Sequence, residues 1–283
     1  RAQDCAVGDE RSAGGPDLLK PSNIDDIDSY SAKLEDYLSK VTDIKQSDLA
    51  NYISHRKVVI DLLEKALEKD QNGKYVRENV VHKLIMPMIA TSDDVQKIED
   101  ANLWLIDDRL TFHNYLASDK TISSMPFTSD NSNKEPDILS LNAYDNPMFF
   151  NEKPANPFAS LTIIELKRPM RNDASEEKSK NPISQVLEYL DRLRKGDVKT
   201  ANGRPISNAS SIPAFCYIIC DLTQRMIDLC DEQDFKIAYD GLSYYKHHEN
   251  KNAYIEVISF DKLLQGAKER NKAFFDKLGF PTT

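Results

Sequence analysis

The sequence predicts a mixed α/β protein behind a helical N-terminal module. Three observations lead there. From residue 24 to about residue 85 the apolar residues recur at spacings of three and four, the helical period. After Asp93-Asp94 they gather instead into short, partly β-branched runs of the kind that form buried strands. Those runs alternate with further helical stretches, the order expected of a sheet covered by helices.

Residues 1–23 mix Gly, Ser, Asp and Pro without periodicity and read as a linker or a cloning remnant. The first residue is Arg and no charged-then-apolar leader follows, so the expectation is a piece excised from a longer protein. Ser22 or Asn23 can cap a first helix carrying Ile27, Tyr30, Leu34, Tyr37, Leu38 and Val41. A second, over 47–69, places Leu49, Tyr52, Ile53, Val58, Val59, Leu62, Leu63, Ala66 and Leu67 on one side. Residues 24–71 therefore form a helical hairpin module that docks on the rest, dimerises, or joins a missing upstream domain, and periodicity does not choose among these. The α/β domain takes residues 72–283. Asn72-Gly73 breaks the helix, and a third helix starts near Tyr75 and runs through Glu78, Val81, Leu84 and Ile85. Strands are predicted at 103–106, 136–141, 159–164, 212–220, 235–245 and 254–259, with a polar turn at 247–252. Helices are predicted over 182–193, from about 222, and over 261–278.

With 283 residues, 40% of them hydrophobic and 29% charged, the chain is neither collagen-like nor mostly disordered. No run approaches the ~20 apolar residues of a membrane-spanning helix. Cys5, Cys216, Cys220 and Cys230 show neither zinc spacing nor a secreted disulfide pattern, and read as thiols in a reducing cytoplasm. The net charge of −9 argues against a nucleic-acid partner. Yet residues 160–204, with 10 basic and 7 acidic side chains, are locally basic and surround the best chemical motif. No P-loop, Gly-rich dinucleotide turn or Ser–His–Asp order occurs, which argues against an ATPase or a dehydrogenase.

That motif is Pro136-Asp137 followed by Glu165-Leu166-Lys167. Glu165 and Lys167, two apart on a strand, leave the same face while Leu166 points inward. If the two strands pair, Asp137 and Glu165 converge on one hard cation; with a main-chain carbonyl and waters they suit Mg²⁺. Lys167 beside such an ion can orient an attacking water or offset charge on a phosphate. One helix further on, Gln185 and Tyr189 are four apart and share a face.

On these residues the sequence resembles the PD-(D/E)xK nuclease superfamily, from about Tyr75 to Cys220. Its texture is closest to prokaryotic defence nucleases of the Shedu type and to nuclease domains fused to ATPases. The resemblance implies a restriction-endonuclease-like mixed sheet flanked by helices and a metal-dependent DNA endonuclease, an effector in antiviral defence. Asp137, Glu165 and the Leu166 carbonyl would hold Mg²⁺, with Mn²⁺ as a substitute. Lys167, Gln185, Tyr189 and Glu78 would complete the catalytic set. Arg168, Arg171, Lys178, Lys180, Arg192 and Arg194 would track the DNA phosphates. Partners implied are DNA, further copies of the chain in a dimer or higher oligomer, and an upstream ATPase or sensor domain; no membrane is involved.

Blander readings stand beside these. Glu78 is also an ordinary exposed or salt-bridged helix residue, Gln185 and Tyr189 an ordinary helix face, and the basic side chains a solvated surface interrupted by Asp173, Glu176 and Glu177. Trp104 and His113 read as structural; His247 and His248 read as exposed turn residues or DNA contacts. Two other function classes remain open: a silent PD-(D/E)xK fold serving as a nucleic-acid or protein-binding module, and a helical assembly scaffold with a regulatory α/β domain.

Overall fold

The computed structural model describes residues 43–144, 158–173, 181–195 and 212–281. The expected linker, the helix expected over 24–41, Cys5, Lys178 and Lys180 lie outside the described residues. The chain divides into two units, residues 1–55 and 56–283. In the first, the described residues from Asp43 are helical and belong to α1 (Asp43–Ala66).

In the second unit, the continuation of α1 from Arg56 buries Val59, Ile60 and Leu63. The Arg56 guanidinium donates to Asp108 Oδ1 and Asn271 Oδ1, each at 3.0 Å, and lies 4.6 Å over the Trp104 ring. A turn follows in which the Asp70 carboxylate accepts the main-chain N–H groups of Asn72 and Lys74, with Gly73 at φ +74. This turn delays the next helix, expected near Tyr75, to α2 (Glu78–Ile85).

The centre is an eight-stranded mixed sheet. Its strands are β1 (Ala90–Thr91), β2 (Tyr115–Ser118), β3 (Ile138–Tyr144), β4 (Phe158–Leu166), β5 (Ala214–Ile219), β6 (Lys236–Ile237), β7 (Ser243–His248) and β8 (Ala253–Ile258). They lie in the order β1-β2-β3-β4-β5-β8-β7-β6. β1 to β4 are antiparallel to one another, β4, β5 and β8 run parallel, and β8, β7 and β6 are again antiparallel. The remaining helices are α3 (Val95–Ile98), α4 (Pro182–Lys195), α5 (Gln224–Glu232) and α6 (Phe260–Lys277). The protein is thus α/β with helices flanking a mixed sheet, and among the described residues no helix is long and apolar enough to cross a membrane.

Strand alternation assigns the two faces. Tyr115, Ala117, Leu139, Leu141, Leu161, Ile163, Cys216 and Ile218 join Ile183, Val186, Leu190 and Leu193 of α4 and Met226, Leu229 and Cys230 of α5 in one core. The α4 residues follow the helical period, which is why the amphipathic pattern marked this helix in the sequence. On the opposite face, Phe215, Tyr217, Tyr254 and Glu256 border a cavity of about 420 Å³ together with Leu105, Leu263 and Arg270.

Two sequence expectations are corrected, and one strand was not expected. Residues 103–106, expected as a strand, form a 3₁₀ turn over Leu103–Leu105. All three side chains are buried. Asn102 organises the turn: its side chain donates to the Leu84 carbonyl at 3.0 Å and accepts from Trp104 Nε1 at 2.9 Å. A short apolar run cannot tell such a turn from a strand. The strand expected over 235–245 is two strands, β6 and β7, separated by a bend with Gly241 at φ +70 and the Asp240 carboxylate accepting the Leu242 N–H. β2, buried along its whole length, had no alternation to reveal it.

Arg194, at the end of α4, donates to the main-chain carbonyls of Lys251, Ile212 and Asn252. It therefore clamps α4 to the entrance of β5 and to the β7–β8 turn. We expect Arg194→Ala to lower unfolding free energy by about 2 kcal/mol, the order for stranding partly buried carbonyls. Arg192→Ala removes an i, i+4 pair with Glu188 and should change it by less than about 0.5 kcal/mol. Urea denaturation of both variants checks the contrast, and equal effects would contradict the clamp.

Candidate metal and catalytic site

The site is a consequence of sheet register. Ser118 pairs with Ile138, and Ile138 with Ile164. The next row towards the same end of the sheet therefore carries Asp119, Asp137 and Glu165. By alternation Asp137 and Glu165 follow Leu139 and Ile163 on the α4 face, whereas Asp119 leaves the strand period and turns its Oδ2 to the Ser118 hydroxyl, 3.5 Å away. The Asp119 N–H donates to the Asp137 carbonyl at 3.1 Å, which ties two of the three strand ends together. Asp119 sits at φ +48, a left-handed conformation that Asp tolerates better than most side chains.

Each acid has a distinct setting. Asp137 Oδ2 accepts the Leu166 N–H at 2.6 Å. Glu165, 4% exposed, forms an ion pair through Oε1 with Lys167 Nζ, and Lys167 is itself only 6% exposed. Glu165 Oε2 is buried and has no hydrogen-bond partner among the described residues. From α2, Glu78 Oε2 accepts the Arg168 N–H at 3.1 Å. One turn later His82, 2% exposed, sets Nε2 at 2.9 Å from Ser118 Oγ and 3.6 Å from Asp119 Oδ2. The segment after Lys167 is held from its far side as well, since the Met170 N–H donates to Asp221 Oδ2 at 2.5 Å.

Burial and mutual repulsion act on all the acids together. Burial raises the pKa of Glu78, Asp119, Asp137 and Glu165 above their ordinary values, in each case against an opposing pull. Lys167 opposes the rise at Glu78, Asp137 and Glu165, and His82 opposes it at Asp119. Glu165 moves most, to about 8, because the like charge of Asp137 adds to its desolvation. Burial, then Glu165 and Asp137, push the Tyr189 phenol up, so this α4 side chain feels the acidic cluster directly. Four carboxylates with one lysine and one imidazole form an anionic site with a buried, unpartnered oxygen. Such a donor set fits a hard divalent cation, which Asp137 and Glu165 could hold.

Of the residues named from sequence, Asp137, Glu165, Lys167 and Glu78 are brought together, and Tyr189 joins them electrostatically. Gln185 lies one turn before Tyr189 on α4, half-buried. The contact shown for Leu166 is its N–H on Asp137. Arg168 adjoins the cluster with its side chain exposed. Arg171 pairs with Asp173 at 2.5 Å, Arg192 with Glu188 at 3.0 Å, and Arg194 is spent on main-chain carbonyls. Sequence reasoning missed His82 and Asp119, which with Asp137 place one ligand atom each within 4.8 Å of one another. The i, i+4 spacing of Glu78 and His82 was the available signal for the first. No family model, curated protein or solved structure matches this chain.

The raised Glu165 has a consequence for stability. Between 4.5 and about 8 the folded chain keeps this proton while the unfolded chain has lost it. The folded state then binds more protons, so stability falls as pH rises through that window. In EDTA, urea unfolding of the wild type should show this decline relative to Glu165→Gln, whose curve lacks the contribution. Parallel curves for the two proteins would contradict the assignment.

Proposed function

We propose that this chain is a divalent-metal-dependent nuclease with a restriction-endonuclease-like core that hydrolyses phosphodiester bonds in DNA. The observation that carries the reading is the meeting of Asp137, Glu165, Lys167 and Glu78 at the adjoining ends of β3, β4 and α2, with Glu165 Oε2 left unpartnered. Glu-x-Lys at the end of a central strand is what the resemblance implies, and here β4 lies between antiparallel β3, which follows Asp137, and parallel β5.

In this reading Asp137 and Glu165, with the Leu166 carbonyl, hold Mg²⁺. Bound there, the ion supplies Lewis-acid polarisation of the phosphate and a more acidic water. The chain's own residues supply the rest. Leu166 N–H fixes the Asp137 carboxylate, and Glu165 Oε1 fixes the Lys167 ammonium. Held in that way, Lys167 offsets negative charge as it grows on the phosphate, with little reorganisation. Glu78 holds the main chain at Arg168, which keeps Lys167 in place and leaves the Arg168 guanidinium exposed for a neighbouring phosphate. Tyr189 and Gln185 support the phosphate from the α4 side. Two copies would serve the two strands of a duplex, and the α1 region is the proposed contact. Release of activity by an upstream sensor or ATPase domain, in antiviral defence, completes the proposal.

Supercoiled plasmid incubated with Mg²⁺, Mn²⁺ or EDTA tests it. We expect metal-dependent nicking or linearisation, reduced at least about 100-fold in Lys167→Ala and in Asp137→Ala, the order for removing a positioned electrostatic group. Equal cleavage by all three proteins would remove the site assignment. No cleavage and no metal uptake would favour a binding module instead, the reading that the net charge of −9 supports.

A further inference from the structure

We propose that His82, Asp119 and Asp137 hold a second divalent cation, sharing Asp137 with the first, and that its nitrogen ligand makes this position prefer a first-row transition ion to Mg²⁺. The inference rests on the metal-dependent reading for the shared role of Asp137, and goes beyond it in ligands and in metal class.

Geometry carries it. Ligands on opposite sides of a small divalent ion, at ~2.0–2.2 Å each, stand up to about 4.4 Å apart. The three ligand atoms already lie within 4.8 Å of one another, so closure on an ion needs a few tenths of an ångström. Each ligand comes from a separate element whose position is fixed. His82 is on α2, Asp119 follows β2, and Asp137 precedes β3, with the last two joined through the main chain. His82 is buried and presents Nε2 to the cluster, where its close neighbours are the Ser118 hydroxyl at 2.9 Å and Asp119 Oδ2 at 3.6 Å. A hydroxyl can turn to donate or accept, so Ser118 does not hold the imidazole against an ion.

The donor types then divide the cluster into two positions. On the Glu165 side the side-chain donors are oxygens, and one of them, Glu165 Oε2, is buried without a partner. That chemistry suits Mg²⁺. On the His82 side an imidazole joins two carboxylates, and imidazole favours transition ions. Asp137 can serve both, because a carboxylate has about four lone-pair directions and the Leu166 N–H uses one of them.

Mn²⁺ is the probe, because its binding is countable by electron paramagnetic resonance and an imidazole ligand leaves ¹⁴N modulation in the pulsed spectrum. The full chain should bind two Mn²⁺. His82→Gln and Asp119→Asn should each bind one, and His82→Gln should lose the ¹⁴N modulation. In the wild type, Mg²⁺ should displace the nitrogen-ligated Mn²⁺ only at a concentration at least about 10-fold above that which displaces the other. Thermal unfolding in EDTA checks that both variants fold; if His82→Gln does not, Asp119→Asn carries the count. A stoichiometry unchanged in the folded variants, or bound Mn²⁺ without ¹⁴N modulation, overturns the inference. Plasmid cleavage separates the two claims. Mg²⁺-dependent cutting with a single nitrogen-free site leaves the nuclease reading and removes this one, whereas two Mn²⁺ with nitrogen ligation and no cutting does the reverse.

Discussion

The antiparallel register of β2, β3 and β4 is the constraint on which the rest depends. Because Ser118, Ile138 and Ile164 share a row, the next row places Asp119, Asp137 and Glu165 side by side at one end of the sheet. A slip of one residue in the β3–β4 pairing would turn Asp137 or Glu165 to the opposite face and bring an apolar side chain in its place. The register is held by burial, since Ala117, Leu139 and Ile163 enter the core beneath α4 just behind the acids. The same core that stabilises the sheet therefore aims the chemistry.

This alignment opposes stability in the absence of a cation. Carboxylates at neighbouring strand ends repel one another, and burial adds a desolvation penalty that one lysine offsets only in part. The upward pKa shifts of Glu78, Asp119, Asp137 and Glu165 express that conflict. Structural salt bridges elsewhere in the chain look different. Arg109 meets Asp107 through two of its nitrogens, and the Asp107 carboxyl is held below its ordinary range. At the strand ends, by contrast, Lys167 and His82 oppose the rise without cancelling it. A bound divalent ion is the proposed resolution, and in that proposal Lys167, fixed by Glu165, is the cation that would face a phosphate.

Much of this was legible in the sequence, for identifiable reasons. Asp137, Glu165 and Lys167 stood out because a residue type and a strand period coincide there, and α4 and α6 because their apolar residues keep the helical period. Residues 103–105 were misread because three consecutive buried side chains fit a strand or a turn, and the deciding contact is the Asn102 side chain on Leu84. β2 escaped notice because four buried residues carry no alternation, and Asp119 escaped with it. His82 lies on a helix the sequence did reveal, but its partners come from strand ends far along the chain, which no local pattern records. Arg194 read as one more basic residue near the motif. Only the structure shows its guanidinium spent on three carbonyls.

The central claim is that the Asp137 row exists to hold a cation and not to stabilise the fold. Asp137→Asn tests it with little change of shape, because an amide oxygen can still accept the Leu166 N–H. Unfolding free energies would be measured for wild type and variant at pH 8, in EDTA and with excess Mn²⁺. The account predicts a variant at least as stable as the wild type in EDTA, and a wild type that gains about 2.7 kcal/mol when the ion is present at 100 times its dissociation constant, a gain the variant largely lacks. A variant destabilised equally in both conditions, with no effect of Mn²⁺ on the wild type, would make Asp137 a structural residue and contradict the account.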